Sequence, residues 1–419
     1  MRESEMVLNA NSRANILKSI KKLVLAHHIN VAGVDYGVWI SRVDARTAEL
    51  LGCDTPAFES GVRELLVELK TSHTVFYHSV PKELLPQHTI NASLRDVGLN
   101  GNRKWMFLDV FESGPAQVAG IKPGHILEAV DGATTSPPTV PVFGIGQKHR
   151  LLVRNPLHNG RNELAIDVPM RKGTKQRPPI VEPKSPVHSV IAPRIGLLKI
   201  PYFPGAMGMA FADQLDSAIH DLKRQGCDRL IIDLRGNIGG SLGFARLASY
   251  MCSGQMPIGH SLTPKRLRNG YNPEKLPRVP MPASRLGLVV TLGKYAFRDK
   301  SVMLLTQGLG PQPFHGRIVL LVNEWTNSAA EMLANFAAEN KLATTVGQKT
   351  RGNVLGAANF KLDAGYWLRL PVFGWFSSKG RTIEGHGVEP DVAVEISPEA
   401  LNRGEDSQLI KATQIVATG

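Results

Sequence analysis

The spacing of apolar residues divides the chain into three blocks. In the first, residues 1–83, the segments SRANILKSIKKLVLAHH and PAFESGVRELLVELKTSH place apolar residues at i, i+3, i+4 and i+7. This spacing gives a helix one buried face. The block is therefore predicted to be helical.

The second block, residues 84–172, has a different pattern. WMFLDVFESGPAQVAGIKPGHILEAVDG reads as strand, turn, short helix, turn, strand, with Gly-Pro and Pro-Gly pairs at the turns. HRLLVRNP and NELAIDVPM are further strand candidates. Residues 173–190 are rich in proline and lysine without periodicity, which predicts an extended linker.

The third block, residues 191–419, alternates strand and helix patterns. DRLIIDLRG and GRIVLLVNE are continuous apolar runs, as expected of strands covered on both faces of a sheet. Strands that feed helices in sequence predict a parallel α/β core. Residues 253–315, rich in glycine, proline and basic side chains, are predicted to be an excursion from this core.

Composition narrows the class of protein. The chain has 419 residues, 42% hydrophobic and 20% charged, which indicates a globular protein of two or three domains. The net charge is +13, but long Lys/Arg blocks and known nucleic-acid motifs are absent from the sequence. We therefore interpret the charge as solvated surface and expect no nucleic-acid partner.

Three widely spaced cysteines predict buried thiols rather than a disulfide framework. The sequence has no CxxC or HExxH motif, and no apolar run approaches the ~18 residues of a membrane span. We expect no metal and no membrane span. Without a secretory leader pattern, the sequence as written predicts a cytoplasmic protein, or a periplasmic or secreted one if a leader was trimmed.

Ser328 lies where the apolar run GRIVLLVNE gives way to an Ala-rich helical pattern. One interpretation is structural, because Ser328-x-x-Glu331 fits a capping box. The other is chemical, because a serine at a helix start beyond a buried strand lies at the sheet edge where α/β sites form. Free N–H groups there can hold an oxyanion.

The run IIDLRGNIGGSLGF has glycines directly after a second buried strand. Glycines allow the backbone to approach a ligand closely, so Gly239 and Gly240 are candidates for substrate contact. A nucleotide-binding turn is the alternative, but the spacing fits neither the P-loop nor GxGxxG.

These two motifs resemble the C-terminal processing peptidase and tricorn protease family of serine peptidases. The segments DRLIIDLRGNIGGSLGFARLA and GRIVLLVNEWTNSAAEMLANFAAENKLATTVGQKTRGN carry the resemblance, and GRTIEGHGVEPDVAVEI is similar to the closing motif of the family. SGPAQVAGIKPGHILEAVDG resembles a PDZ domain. The resemblance implies an α/β fold with a ClpP/crotonase-like peptidase core, an N-terminal helical cap and an inserted PDZ domain.

The resemblance also implies which residues react. C-terminal processing peptidases pair the serine with a lysine, but the matching position here is Asn353, which cannot act as a base. Lys349 lies nearby at a position that is not catalytic in the family. The tricorn-like members instead use a histidine in a TSH motif, which occurs here as Thr71-Ser72-His73.

By resemblance, Ser328 is the nucleophile, His73 its general base, and Ser72 and Glu384 the supporting groups. The same resemblance assigns the oxyanion hole to the N–H groups of Gly240 and Ala329. A packed histidine at a helix end is the alternative for His73, and His386 is the rival base. Glu331 is either a capping partner or a residue lining the site, and we favour the structural role.

The PDZ-like block suggests how substrate is recognised, since PDZ domains bind peptide C-termini by strand addition. The predicted carboxylate loop is RDVGLNGN, with Gly98, Leu99, Asn100 and Gly101 as contacts. A structural or regulatory insert is the alternative for the block. The predicted function is a serine endopeptidase acting on polypeptides near their C-termini, with no cofactor; a catalytically inactive PDZ-containing scaffold is the alternative, and homo-oligomerisation is left open.

Overall fold

The structure is a computed structural model that describes residues 8–78, 83–99, 101–157, 160–170, 180–205, 208–282 and 300–418. The helices are α1 Ala10–His27, α2 Tyr36–Gly52, α3 Thr55–Val67, α4 Pro86–Thr89, α5 Pro115–Val118, α6 Met209–Arg224, α7 Phe244–Ser249, α8 Pro264–Arg268, α9 Ala329–Glu339, α10 Pro398–Asn402 and α11 Ser407–Thr418. In the described part of the chain, none of these helices is long and apolar enough to cross a membrane.

The strands fall into three main sheets. They are β1 Val75–His78, β2 Glu83–Leu84, β3 Ala92–Leu99, β4 Asn102–Val110, β5 Ile126–Val130, β6 Ala133–Thr134, β7 Phe143–Gly144, β8 Lys148–Asn155, β9 Gly160–Asp167, β10 Val187–Ala192, β11 Ile195–Lys199, β12 Arg229–Asp233, β13 Pro257–Leu262, β14 Arg278–Pro280, β15 Val302–Leu305, β16 Ile318–Val322, β17 Thr344–Gly347, β18 Gly356–Lys361, β19 Tyr366–Ser377 and β20 Val392–Ala393.

The first sheet has the order β10-β11-β12-β16-β17-β20 and is parallel except for β10. This is the parallel core that the alternating pattern predicts. Its central strands are the most apolar because both faces are covered: β16 is apolar and buried throughout, and β12 contributes Leu230, Ile231 and Ile232. Leu230 and Ile232 pack in the core beside α6, α7 and α9, whereas Ile231 packs on the opposite face with Ala412 and Val416 of α11.

The second sheet has the order β1-β19-β13-β15-β14, with β18 paired to β19. It includes the described strands of residues 253–315, so this region forms part of a sheet as well as an excursion from the parallel core. Its first strand, β1, follows the N-terminal helices and pairs antiparallel with β19, where Val75 lies opposite Arg369. The sheet therefore joins the beginning of the chain to its final quarter.

The N-terminal helices begin at side-chain caps, since Asn9, Asp35 and Asp54 each accept a hydrogen bond from a backbone N–H in the first turn. Their apolar faces share one core with Phe76 of β1 and Leu368 of β19. The block is helical from Ala10 to Val67, apart from its turns, but its end is not, because Val75–His78 forms β1. The sequence reading did not single out α2, whose buried residues are only Trp39, Val43 and Leu50.

The third sheet is antiparallel, with the order β3-β4-β5-β8-β9 and β6 paired to β5. The predicted succession of strand, short helix and strand is present as β4, α5 and β5. The prediction of a loop at RDVGLNGN is wrong for most of that segment, because Arg95–Leu99 belongs to β3 and Asn102 begins β4. A tight turn containing Gly101, at φ +77°, connects the two strands. Asn100 lies outside the described residues.

Candidate active site

The loops that follow two neighbouring parallel strands, β12 and β16, lie at the same edge of the first sheet. β12 ends at Asp233 and β16 at Val322. The loops are joined directly, because the Thr326 hydroxyl donates to the Leu234 carbonyl at 2.9 Å and the Asn327 N–H donates to the Asn237 carbonyl at 2.9 Å. The glycine-rich motif and the Ser328 motif therefore form one surface.

Ser328 stands immediately before α9 with φ 54° and ψ −117°. Non-glycine residues rarely adopt positive φ, and such strain persists where surrounding contacts impose it. The backbone of Gly239 lies close to Ser328. A Cβ added at this glycine would lie 3.2 Å from Ser328 Oγ and 2.6 Å from Ser328 Cβ. A larger residue at position 239 would displace the serine.

The backbone beside Ser328 presents N–H groups. The Phe203 N–H donates to the Gly239 carbonyl and the Ser241 N–H donates to the Phe203 carbonyl, which leaves the Gly240 N–H between them. Within the described residues, neither the Gly240 N–H nor the Ala329 N–H has a hydrogen-bond acceptor. The Ala329 N–H lies at the start of α9, where the helix dipole favours negative charge.

The Glu331 side chain is fully buried and binds the segment at residues 350–353, which follows α9 in the chain. Its Oε2 accepts the N–H groups of Ser328 at 3.1 Å and Asn353 at 2.8 Å, and its Oε1 accepts the Thr350 hydroxyl at 2.6 Å and the Gly352 N–H at 2.5 Å. Burial raises the pKa of Glu331 against the opposing effect of these donors. The predicted capping box is present, and the same carboxyl also binds a second segment.

The TSH turn lies between α3 and β1, and its residues contact the closing motif. The Ser72 N–H donates to Glu384 Oε1 at 2.7 Å, and the Ser72 hydroxyl donates to Glu384 Oε2 at 3.1 Å. The same hydroxyl lies 2.8 Å from His73 Nδ1. Ser72 therefore stands between the carboxylate and the imidazole.

This arrangement selects a tautomer of His73. The Ser72 hydroxyl has a single hydrogen, and an ionised Glu384 can only accept. When that hydrogen goes to Glu384, the 2.8 Å contact requires His73 Nδ1 to donate its proton to the Ser72 oxygen. His73 Nε2 is then unprotonated and able to accept a proton.

Residues 353 and 354 connect the two halves of the site. The Asn353 N–H binds Glu331, which also holds the Ser328 N–H, whereas the Val354 N–H binds Glu384 Oε2 at 2.8 Å. Two consecutive residues thus bind the two carboxylates: Asn353 binds Glu331, which holds Ser328, and Val354 binds Glu384. Hydrogen bonds thus connect Glu384 to Ser72 and Ser72 to His73. Among the described residues, however, no hydrogen bond joins His73 to the Ser328 hydroxyl.

The surroundings keep His73 neutral. Burial, with smaller contributions from the positive charges of Arg369 and then Arg351, lowers the pKa of His73 to about 4. Arg351 lies close to the serine loop, with its guanidinium 4.7 Å from the centre of the Trp325 ring. A neutral imidazole is the form that accepts a proton.

The rival bases have other surroundings. Lys349 is half-exposed and forms an ion pair with Glu389 at 2.6 Å. His386 is exposed, with its Nδ1 at 2.9 Å from the Glu384 carbonyl oxygen. The β3–β4 hairpin, which contains Gly98, Leu99 and Gly101, belongs to the third sheet, whereas Ser328 follows a strand of the first sheet.

Sequence reasoning missed the polar contacts between the antiparallel sheet and the serine loop. Asn323 directly follows β16; its amide donates to Asp109 of β4 at 3.1 Å, and its oxygen accepts the Gly236 and Trp325 N–H groups. Desolvation raises the pKa of Asp109 to about 6. The position of Asn323 at a strand end was the available signal. In the described part of the chain, no cluster of His, Cys, Asp and Glu could hold a metal ion.

A strained serine at the edge of a parallel sheet, and a histidine linked to a carboxylate through a hydroxyl, are features found in serine peptidases. Residues 194–394 match the model of peptidase family S41. This match covers a little under half of the chain.

Three relatives illustrate the similarity. The chain is 33% identical over 113 residues to the tricorn protease of Thermoplasma volcanium, covering 26% of this chain and 11% of that protein. It is 25% identical over 291 residues to the chloroplastic carboxyl-terminal-processing peptidase 2 of Arabidopsis thaliana, covering 66% and 47%. It is 25% identical over 314 residues to the carboxy-terminal processing protease CtpA of Bacillus subtilis, covering 74% and 58%. The matched parts thus span less than two thirds of each relative.

Solved structures share the fold over almost the whole chain. The photosystem II D1 C-terminal processing protease superposes with a TM-score of 0.56 at 16% identity, covering 95% of this chain and 98% of that one. Mature CPAF, in complex with lactacystin, superposes with a TM-score of 0.58 at 15% identity, covering 98% and 99%. The mixed α/β architecture is therefore that of S41 peptidases.

Proposed function

We propose that this protein is a serine endopeptidase in which Ser328 is the nucleophile and His73 the general base. The observation that carries the proposal is the chain of contacts from Glu384 through the Ser72 hydroxyl to His73 Nδ1. Because Ser72 binds Nδ1, the unprotonated Nε2 on the other side of the ring is left to accept a proton, and a base for a serine needs such a nitrogen. Glu384 and Ser72 orient the ring without contacting substrate.

The reaction follows from these roles. His73 Nε2 takes the proton as Ser328 Oγ attacks the scissile carbonyl, and the Gly240 and Ala329 N–H groups stabilise the oxyanion. The imidazolium then protonates the leaving amine and an acyl-enzyme remains. Water, deprotonated by the same ring, hydrolyses the ester and frees Ser328. The open contact between Ser328 and His73 closes when substrate binds, since catalytic hydrogen bonds often tighten only in the complex.

We further propose that the core is of the ClpP/crotonase type, that residues 1–83 form a cap and that residues 173–190 link an inserted PDZ domain, residues 84–172, to the core at 191–419. The last four residues of this predicted linker, 187–190, belong to β10 of the first sheet. The sheet order supports the PDZ assignment, because β3 lies at one end of the described antiparallel sheet and could accept a peptide strand. The substrates would then be polypeptides held by their C-terminal segments.

The test of the enzymatic proposal compares the wild type with Ser328→Ala. We expect the wild type to cleave an unfolded protein and to react with a serine-directed fluorophosphonate probe, whereas the variant does neither. If the two proteins behave alike in both assays, the proposal is wrong and the chain is a binding scaffold. A substrate peptide with an amidated C-terminus, compared with its free acid, tests recognition separately.

The choice of base has its own test. His73→Ala should lower kcat by about 10⁴-fold, as the loss of a triad member does. Asn353→Ala should leave kcat near the wild-type value, because Asn353 binds Glu331 through its backbone N–H. A large loss in Asn353→Ala with a small loss in His73→Ala would contradict the assignment.

A further inference from the structure

A second histidine, His28, is buried beneath the TSH turn. It caps the C-terminus of α1, where its N–H donates to the Val24 carbonyl at 3.1 Å. Its side chain is 1% exposed, and both ring nitrogens have partners. Nδ1 lies 2.6 Å from the Tyr36 hydroxyl at the start of α2, and Nε2 lies 2.8 Å from the Thr71 hydroxyl.

These partners suit an uncharged ring. Burial lowers the pKa of His28 to about 4, and a neutral imidazole has one donor and one acceptor for two hydroxyl groups. The Tyr36 hydroxyl has a further acceptor in the His28 carbonyl at 3.3 Å, and the Thr71 hydroxyl lies 3.2 Å from that of Thr74. Every polar atom of this group is therefore satisfied in the neutral state.

The contact with Thr71 affects the neighbouring residues of the proposed site. The turn has two non-glycine residues at positive φ, Lys70 at 52° and His73 at 61°. Strained backbone of this kind is retained only where surrounding contacts determine it. Glu384 holds the turn from the C-terminal side through Ser72, and His28 holds it from the N-terminal side through Thr71.

We propose that His28 is a positioning residue that sets the orientation of the general base, acting through the Thr71 hydroxyl on the strained TSH turn. The proposal rests on the proposed function of His73. It assigns the N-terminal helices a part in the reaction, because the ends of α1 and α2 hold the turn through one imidazole. A misplacement of about 1 Å in a catalytic group costs on the order of 10²-fold in rate.

The test uses variants that keep or remove one hydrogen bond. Thr71→Val and His28→Ala each remove the link, Thr71→Ser keeps it, and His28→Gln keeps a nitrogen within reach of Thr71. We expect Thr71→Val and His28→Ala to lower kcat on the order of 10- to 10²-fold with KM within about twofold. Thr71→Ser and His28→Gln should recover most of the loss.

The matched control is His27→Ala, which alters an exposed histidine at the same helix end that stacks on Phe360 with 5.0 Å between ring centres. It should leave kcat unchanged. The double variant His28→Ala/Thr71→Val should lose no more than either single variant, because both remove the same interaction. Additive losses, or losses that match the unfolded fraction seen by circular dichroism, would overturn the proposal in favour of a purely structural role.

A second measurement does not depend on turnover. Ring nitrogen chemical shifts of ¹⁵N-histidine, with the His73 signal assigned through His73→Gln, report the tautomer directly. Thr71→Val should move the His73 signal from the Nδ1–H tautomer towards a mixture, whereas Thr71→Ser should not. If Ser328→Ala shows that the chain is no peptidase, this shift still decides whether His28 orients His73, and an unchanged signal in Thr71→Val refutes it.

Discussion

At the scale of single residues, the site depends on one hydroxyl. The Ser72 hydroxyl accepts a hydrogen bond from the His73 imidazole and donates one to the Glu384 carboxylate. Glu384 therefore supports His73 indirectly, through the Ser72 oxygen. In the familiar triad, the carboxylate contacts the histidine directly. Here, loss of the single Ser72 oxygen atom would remove both the support of the proposed base, His73, and the preference for one of its tautomers.

Ser72→Ala tests this dependence. Without the hydroxyl, neither tautomer of His73 is preferred by its neighbours, and kcat should fall on the order of 10²-fold. The measurement is steady-state hydrolysis of a peptide substrate. Ser60→Ala is the control, because Ser60 also donates to a glutamate, Glu64, at 3.2 Å on the exposed surface of α3. Equal activity of Ser72→Ala and the control would refute the role of Ser72.

The pH dependence of activity belongs to the same scale. Because the pKa of His73 is about 4, the ring stays unprotonated as the pH falls below 6.5, and kcat/KM should decline only as the pH approaches 4. Arg351→Gln removes one of the two positive charges that lower the pKa of His73, so the decline should move to higher pH. The shift should be small, because burial lowers this pKa more than either charge does. A midpoint at or above 6.5 in the wild type would show that His73 is better solvated than the structure indicates.

At the scale of elements, Glu331 determines how α9 and the segment at residues 350–353 meet. Its four donors come from both, and the carboxyl is buried. Glu331→Gln places an amide NH₂ against N–H donors, which should lower the free energy of unfolding by about 3 kcal/mol. Urea unfolding measures this. Asn353→Ala keeps its backbone donor, so a comparable loss in that control would mean that side-chain packing dominates.

The elements were predictable where periodicity marks them. Buried on both faces, β12 and β16 are continuous apolar runs, and the position of Ser328 at a strand end followed from that pattern. The hairpin at RDVGLNGN was misread because it was matched to the carboxylate-binding loop of PDZ domains, whereas cross-strand pairing extends β3 to Leu99. The contact of His28 with Thr71, 43 residues apart, has no periodic signal at all.

At the scale of the whole molecule, Asp109 couples the antiparallel sheet to the serine loop through Asn323. Its pKa of about 6 exceeds the ordinary value of 3.8, so the folded protein takes up a proton there at a pH where the unfolded chain does not. At this site, acidification from pH 7 towards 4 therefore adds stability. The Ser93 hydroxyl and the charges of Arg235 and Glu324 act on the same carboxyl.

Asp109→Asn removes this titration and keeps a similar shape. The stability of the wild type minus that of the variant should increase as the pH falls from 8 to 5, and at pH 8 the variant should be at least as stable. Urea unfolding at the two pH values gives the comparison, in which the other titrating groups cancel. An equal difference at both pH values would show that Asp109 is not the titrating group.

The pairing of β1 with β19 has a consequence for how the protein is made. A nascent chain emerges from the ribosome in sequence order, and pairing across such a distance must wait for the later strand. A chain that ends before Tyr366 already contains Ser328 and the TSH turn, but lacks both the strand that holds β1 and the carboxylate of Glu384. If the proposed mechanism holds, a nascent chain therefore stays latent until both β19 and Glu384 have emerged.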